Sequence, residues 1–259
     1  NMIIPHVEEN LDRGHYRDAA PAICPCCGAS TELHRKKGEK GRIIETIHCS
    51  NPSCESQQLK KFVHFVCRKA MNIEGLSEAT LEKFLNLGYL QTFHDIYHLD
   101  QHRKEIIRLE GFGEKSFDRL WNAIQASRST TFVRYLISMD IPMVGRTKSR
   151  VLDTVFSGNL DTFKAAAVDG YDFTQLEDFG ATLNRNIHDW FADEENLALW
   201  DTLQKEFTFE ERKEETTMTK DNVFAGKTIV ATGKLENFTR AEINDKILEI
   251  GAKPGSSVT

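Results

Sequence analysis

The sequence predicts a multidomain, mainly α-helical chain, and three observations carry that prediction. Two close cysteine pairs, Cys24 with Cys27 and Cys49 with Cys54, precede the helical part. A five-residue turn motif then recurs four times at near-constant spacing, each time followed by helical periodicity. After Phe224 the pattern changes to strand, helix and strand, the outline of a partial α/β unit. With 259 residues and 40% apolar content the chain has room for several small cores, which excludes a wholly disordered protein.

Charge and hydropathy narrow the function classes. No apolar run reaches membrane length and no basic start leads into an apolar stretch, so a cytoplasmic protein with no membrane partner is expected. A formal charge of −6 excludes a simple polycation that coats nucleic acid. The charge is uneven, however. Residues 24–69 hold nine Lys and Arg against four Asp and Glu, whereas residues 193–222 hold four against ten. Any contact with nucleic acid must therefore use local donors.

The first twenty residues open with Asn1 to Val7, an apolar strand with little to pair with, which reads as the last strand of an element that began upstream. The cysteines follow. Cys24-Pro25-Cys26-Cys27-Gly28 forms a C-x-x-C knuckle, and Cys49 and Cys54 form a second tight pair. Two turns that each offer two thiolates suit one tetrahedral zinc per chain, and four thiolates leave no open position, so the role is structural. Such a module has little core and owes much of its folding free energy to the metal. Free or redox-paired cysteines are the alternative, and Cys26 is placed to substitute for Cys27. Cys67 reads as a small core residue on a helix, and His34, His48 and His64 as surface or packing residues rather than ligands. Thr31–His34 and Ile43–His48 read as a small hairpin between the pairs.

The repeated motif is Ile73-Glu74-Gly75-Leu76-Ser77, Leu109-Glu110-Gly111-Phe112-Gly113, Ile141-Pro142-Met143-Val144-Gly145 and Leu176-Glu177-Asp178-Phe179-Gly180. Its last positions lie 36, 32 and 35 residues apart. In each, two apolar residues hold the turn against the core, glycines permit positive φ and close approach, and a helix starts at once. Free N–H groups and the positive end of the helix dipole then face outward, an arrangement that accepts phosphate. Four such turns predict four helix-hairpin-helix repeats that read the sugar–phosphate backbone without sequence preference. The candidate contacts are Gly75, Gly111, Gly113, Lys115, Gly145, Arg146, Thr147, Lys148 and Gly180. The second turn, with both glycines and Lys115, is the strongest, and the third follows through Gly145 to Lys148. Ser77, Met143 and Asp178 depart from glycine, and Asp178 would repel a phosphate. Leu81, Phe84, Leu85 and Leu87, and Phe117, Leu120, Trp121 and Ile124, recur at helical spacing as core faces. That spacing assigns aromatics such as Phe112, Phe132, Tyr135, Phe163 and Trp190 to packing rather than base stacking. No Ser/His/Asp set, carboxylate pair or phosphate-cradling Walker loop stands out, so no catalytic residue is expected here.

Residues 206–223 read as an acidic tether with little apolar content after Phe209. From Gly226-Lys227 a strand over Thr228–Ala231, a Thr232-Gly233 turn, a helix near Arg240–Ile250 and a second strand after Gly251 follow. A β-α-β unit that stops at Thr259 cannot close a sheet alone, so the chain reads as part of a longer protein.

Several of these stretches resemble the bacterial NAD-dependent DNA ligases. They are Ile4-Pro5 leading into the first knuckle, Cys49-x-Asn51-Pro52-x-Cys54, His64-Phe65-x-x-Arg68-Lys69-Ala70-Met71-x-Ile73-Glu74-Gly75-Leu76 and Leu109 to Ser116. The Gly226-Lys227-Thr228 to Thr232-Gly233 stretch is similar to the opening of that family's BRCT domain. The resemblance implies residues 1–20 as the end of an OB-fold and a connector, and 21–60 as a four-cysteine zinc finger. It further implies 61–205 as a helix-hairpin-helix DNA-binding domain, 206–223 as linker and 224–259 as the start of a BRCT domain. It implies an enzyme that seals nicks in duplex DNA during replication and repair, using NAD and magnesium in an N-terminal part. The Lys-x-Asp-Gly adenylation motif of that part is absent from these 259 residues, so the chain is expected to be inactive by itself, a monomer that clamps nicked double-stranded DNA. Two other readings stay open: a non-catalytic helix-hairpin-helix scaffold or repair adaptor, and a zinc-stabilised protein-interaction module that fits the acidic balance.

Overall fold

The structure is a computed structural model that describes residues 21–37, 43–210 and 223–255, the last stretch without 225, 234–242, 245, 248–249 and 251. The opening strand expected over Asn1–Val7 and most of the acidic tether lie outside the described residues. The chain forms two compact units.

The first unit runs to Arg128 and also takes Ile137–Asp140 and Trp200–Glu206. It opens with strands β1 (Thr31–Lys37) and β2 (Ile43–Cys49), antiparallel in a register that sets Thr31 opposite Cys49 and Lys37 opposite Ile43. Helices α1 (Glu55–Val66), α2 (Glu78–Asn86), α3 (Phe93–Ile96), α4 (Arg103–Ile106) and α5 (Glu114–Ser127) follow, with a 3-10 turn at Leu99–His102. Side chains cap the starts of α2 and α5. Ser77 accepts the Thr80 amide at 3.2 Å and opens α2, while the Ser116 hydroxyl accepts the Gly113 amide at 2.8 Å at the start of α5. Phe65, Leu81, Phe84, Ile96, Phe117 and Ile124 form the core, and Phe65 stacks on Phe93 at 4.4 Å. Leu87, expected on the core face of α2, is 46% exposed. It is the C-cap, and Gly88 with φ +73° turns the chain away there. Cys67 likewise lies just past α1, half-buried, with its amide donating to the His64 carbonyl at 3.2 Å.

The second unit holds α7 (Arg146–Val155), α8 (Leu160–Val168) and α9 (Ala181–Ala192). Strands β3 (Ser129–Thr130) and β4 (Thr208–Phe209) pair in parallel within it. Helices α6 (Phe132–Ser138) and α10 (Glu194–Gln204) contribute residues to both units. Phe163 and Phe173 are fully buried, with Phe132, Phe156 and Phe191 edge-on or tilted around them at 5.4–6.2 Å. Strands β5 (Thr228–Ile229) and β6 (Lys253–Pro254) are parallel, with helical residues at 243–244 and 246–247 between them, and Ile247 and Ala252 are buried.

The four repeated motifs share one backbone conformation. Their third residue has positive φ in every case: Gly75 +95°, Gly111 +84°, Met143 +69° and Asp178 +63°. Their fifth residue is extended and caps the next helix: Ser77, Gly113, Gly145 and Gly180 before α2, α5, α7 and α9. The fourth residue's amide donates to the first residue's carbonyl at 2.9, 2.9 and 3.1 Å in the second, third and fourth copies. A closed four-residue turn with positive φ at its third position is of type II, and Pro142 occupies that type's favoured second position. Shape is thus kept where glycine is not, at a cost of about 1–2 kcal/mol for a left-handed side chain. A Cβ at Gly111 would meet nothing within 4 Å, so only backbone strain opposes one there. Gly111→Ala is accordingly expected to lower stability by about 1–2 kcal/mol. Met143→Gly should raise it by roughly 0.5–1 kcal/mol, because relief of the strain exceeds the entropy cost of glycine. Denaturant unfolding of the two variants checks both signs, and a destabilised Met143→Gly would contradict the account.

Each unit carries two of the turns, and they are braced alike. In the first, Lys83 of α2 donates to the Glu110 carbonyl of the next turn at 3.1 Å. In the second, Asn186 of α9 donates to the Pro142 carbonyl at 3.1 Å. Both donors stand six residues after their own turn, and both acceptors are the second residue of the other turn.

Candidate metal centre and phosphate-facing turns

The thiols of Cys24, Cys27, Cys49 and Cys54 converge, with all four sulfurs within 4.8 Å of one another. Local backbone places them. The Cys24 amide donates to Ala29 and the Gly28 amide returns to the Cys24 carbonyl, a loop that Gly28 closes with φ +73°. Asn51 shapes the second knuckle by accepting the Ser53 amide on its side chain and the Cys54 amide on its carbonyl. Gln57 ties the two parts by donating to the Cys49 carbonyl at 2.7 Å. Cys54 is the N-cap of α1, so the helix's first amides face its sulfur.

Cys24 and Cys54 are 3.9 Å apart and Cys27 and Cys49 are 3.4 Å apart, far beyond a disulfide bond, and all six cysteines are free. Sulfurs bound at about 2.3 Å to one tetrahedral ion would stand about 3.8 Å apart, so the donor set fits such an ion. The protonation pattern agrees. Amides of Cys27 and Cys26 push the Cys24 thiol down, and the Ala29 amide with Cys49 brings Cys27 to about 6. At Cys54 the Gln57 amide lowers the thiol, but burial and the neighbouring sulfurs outweigh it and raise it to about 12. At Cys49 the Asn51 amide pulls the same way and is also outweighed, leaving that thiol raised. Four thiolates cannot ionise together without a cation among them. Cys26 is exposed and outside the cluster, and the His34 and His48 rings pack on each other at 4.5 Å along the hairpin. His64 instead contacts the Ile137 carbonyl at 2.7 Å.

The residues singled out on the turns divide into two groups. Gly111, Gly113, Gly145 and Gly180 face open space, since a Cβ on any of them would meet nothing within 4 Å. Lys115, Arg146 and Thr147 are exposed beside the second and third turns. The ladders of α5 and α7 begin with the Phe117 and Ser149 amides donating to Gly113 and Gly145, so the amides of 114–116 and 146–148 lie outside those ladders. Gly75 and Lys148 are engaged internally. A Cβ on Gly75 would sit 3.3 Å from Leu120 Cδ1. Lys148 donates to the Asp178 carbonyl at 2.6 Å and lies over the Phe179 ring at 5.0 Å. Its Nζ is also 3.9 Å from the Asp178 carboxylate. Phe117, Phe132, Tyr135, Phe163 and Trp190 are buried, which leaves them to packing.

A second cluster escaped the sequence reading: His94, His98 and Glu206. The four-residue spacing of the histidines is visible in the sequence, but nothing there joins them to a glutamate 108 positions after the second.

No protein-family model matches the chain. It is similar over its whole length to curated proteins named DNA ligase. One from Lachnoclostridium phytofermentans is 36% identical over 261 residues, and one from Ruminiclostridium cellulolyticum is 35% identical over 260. One from Macrococcus caseolyticus is 35% identical over 244 residues, 92% of this chain. The chain spans 38% of the length of the first two relatives and 34% of the third.

Proposed function

From a chain whose whole length is related to part of the DNA ligases, we propose the duplex-gripping portion of an NAD-dependent DNA ligase, a cytoplasmic enzyme that seals nicks in replication and repair. The observation that carries this reading is the shared geometry of the four turns, each presenting a positive-φ residue and a helix start. These are the features of helix-hairpin-helix repeats. The open glycines let a phosphate oxygen approach the first amides of α5 and α7, and the helix dipoles favour the negative charge there. Lys115, Arg146 and Thr147 add donors at the same two places. Because the contacts go to backbone phosphate, they hold any sequence alike and position a nick without reading bases. The first and fourth turns, with Gly75 against Leu120 and Lys148 on Asp178, serve the internal frame more than the phosphate.

Cys24, Cys27, Cys49 and Cys54 would hold one zinc ion. Its chemistry here is structural, since four thiolates leave no position for water or substrate. The cysteines would then lock the hairpin to the start of α1. The stretch after Phe224 is read as the beginning of a BRCT domain. Adenylate transfer with NAD and magnesium belongs to residues outside this chain, which is expected to be monomeric and inactive alone.

The test is binding of the zinc-loaded chain to a fluorescent nicked duplex, measured by anisotropy at two salt concentrations. Affinity is expected to fall by about 10³–10⁵ between 50 and 200 mM salt if roughly 6–10 phosphates are contacted, with no dependence on sequence. A folded, metal-loaded chain with no affinity at low salt would refute the proposal.

A further inference from the structure

Among the described residues, one cluster of metal-ligating side chains stands apart from the thiols and from the turns. His94 lies in α3 and His98 four residues later, and their rings stack at 4.2 Å with 28° between planes. Both Nε2 atoms aim at one atom, Oε1 of Glu206, at 2.9 Å from His94 and 3.1 Å from His98. All three residues belong to the first unit. The other carboxylate oxygen of Glu206 accepts a hydrogen bond from Arg128 Nη1. Arg128 is fixed in turn by the Tyr97 carbonyl at 2.9 Å, the Glu206 carbonyl at 3.2 Å and the Tyr97 ring at 5.0 Å.

We propose that His94, His98 and Glu206 form a second divalent transition-metal site, separate from the cysteine cluster, with zinc as its natural occupant. Two imidazole nitrogens and one carboxylate oxygen are a donor set that suits zinc and leaves a further position for water. The separations of 2.9 and 3.1 Å are a few tenths of an ångström below the edge of about 3.3–3.4 Å of a tetrahedron with bonds of about 2.0–2.1 Å, a gap that small side-chain rotations open. Stacking sets both rings in the direction of the ion before it arrives. Arg128 keeps Glu206 monodentate by holding its second oxygen, the kind of outer support that metal-bound carboxylates use. The histidine side chains are 37% exposed, so an ion and its water can enter, while Glu206 at 13% is nearly enclosed. The positive charge of Arg128 weakens the site relative to a closed thiolate site. Occupied, the site fastens the segment Trp200–Glu206, whose Trp200 and Leu203 are fully buried, to the turn after α3.

The experiment compares zinc content of the wild-type chain with His94→Gln and His98→Gln after equilibrium dialysis against micromolar Zn²⁺, by elemental analysis. The cysteines are intact in all three, so their contribution cancels in the difference. Wild type is expected to hold one more zinc per chain than either variant, and Zn²⁺ is expected to raise the thermal midpoint of wild type more than that of either variant. Equal zinc content in wild type and both variants would overturn the proposal, as would an equal thermal shift in all three. Both histidines are partly exposed, and circular dichroism checks that each variant is folded before the comparison.

Discussion

Cys24→Ser and Cys54→Ser are each expected to take the tightly held zinc from one per chain to nearly none, and to open residues 21–60 to proteolysis. The reason is the poverty of that region's core. On the hairpin, Leu33, Ile43, Ile44 and Ile47 are 43–64% exposed, so burial of apolar surface does little to hold β1 on β2. What is enclosed in the cysteine cluster is Cys24 at 8% and Cys54 at 1% exposure, while Cys49 is half-buried and Cys27 exposed. A serine hydroxyl in place of either thiolate removes one of four corners, and the energy that folds the module goes with the ion. Cys26→Ser is the control, expected to leave the metal count unchanged, since Cys26 is exposed outside the cluster. Measurement by elemental analysis after weakly held metal has been dialysed away, with limited proteolysis alongside, separates the outcomes. A full metal count in both serine variants would show that the thiols are not the ligands.

Joint replacement of Lys115 and Arg146 by alanine is expected to weaken binding to nicked duplex and to reduce the slope of log affinity against log salt by about two. Each side chain stands beside an open turn and a helix start, so each would neutralise one phosphate and release its counterions. The loss should be uniform across sequences, because the contacts do not touch bases. Lys148→Ala provides the contrast. Its ammonium is spent on the Asp178 carbonyl and the Phe179 ring, so its removal should cost stability of the fourth turn more than salt-dependent affinity. Anisotropy titrations over a salt series decide between these outcomes. An unchanged slope in the double variant would place the contact surface elsewhere.

What the sequence determined by itself was set by local physics. Cysteines three or five positions apart must lie on tight turns, and an apolar pattern of period 3.6 must bury one side of a helix. A recurring apolar-x-x-apolar frame before a helix specified four turns even where Met143 and Asp178 replace glycine, because neighbouring packing forces the positive φ that those residues resist. Only the tertiary structure decided what depends on convergence across distance. It separated Cys27 from Cys26, turned Gly75 toward Leu120, spent Lys148 on Asp178 and exposed Leu87 at a helix end. It also brought Glu206 onto His94 and His98 across more than a hundred residues. Sequence spacing states which side chains share a face, but a contact between distant segments exists only once burial elsewhere has paid the entropy of closing the loop between them.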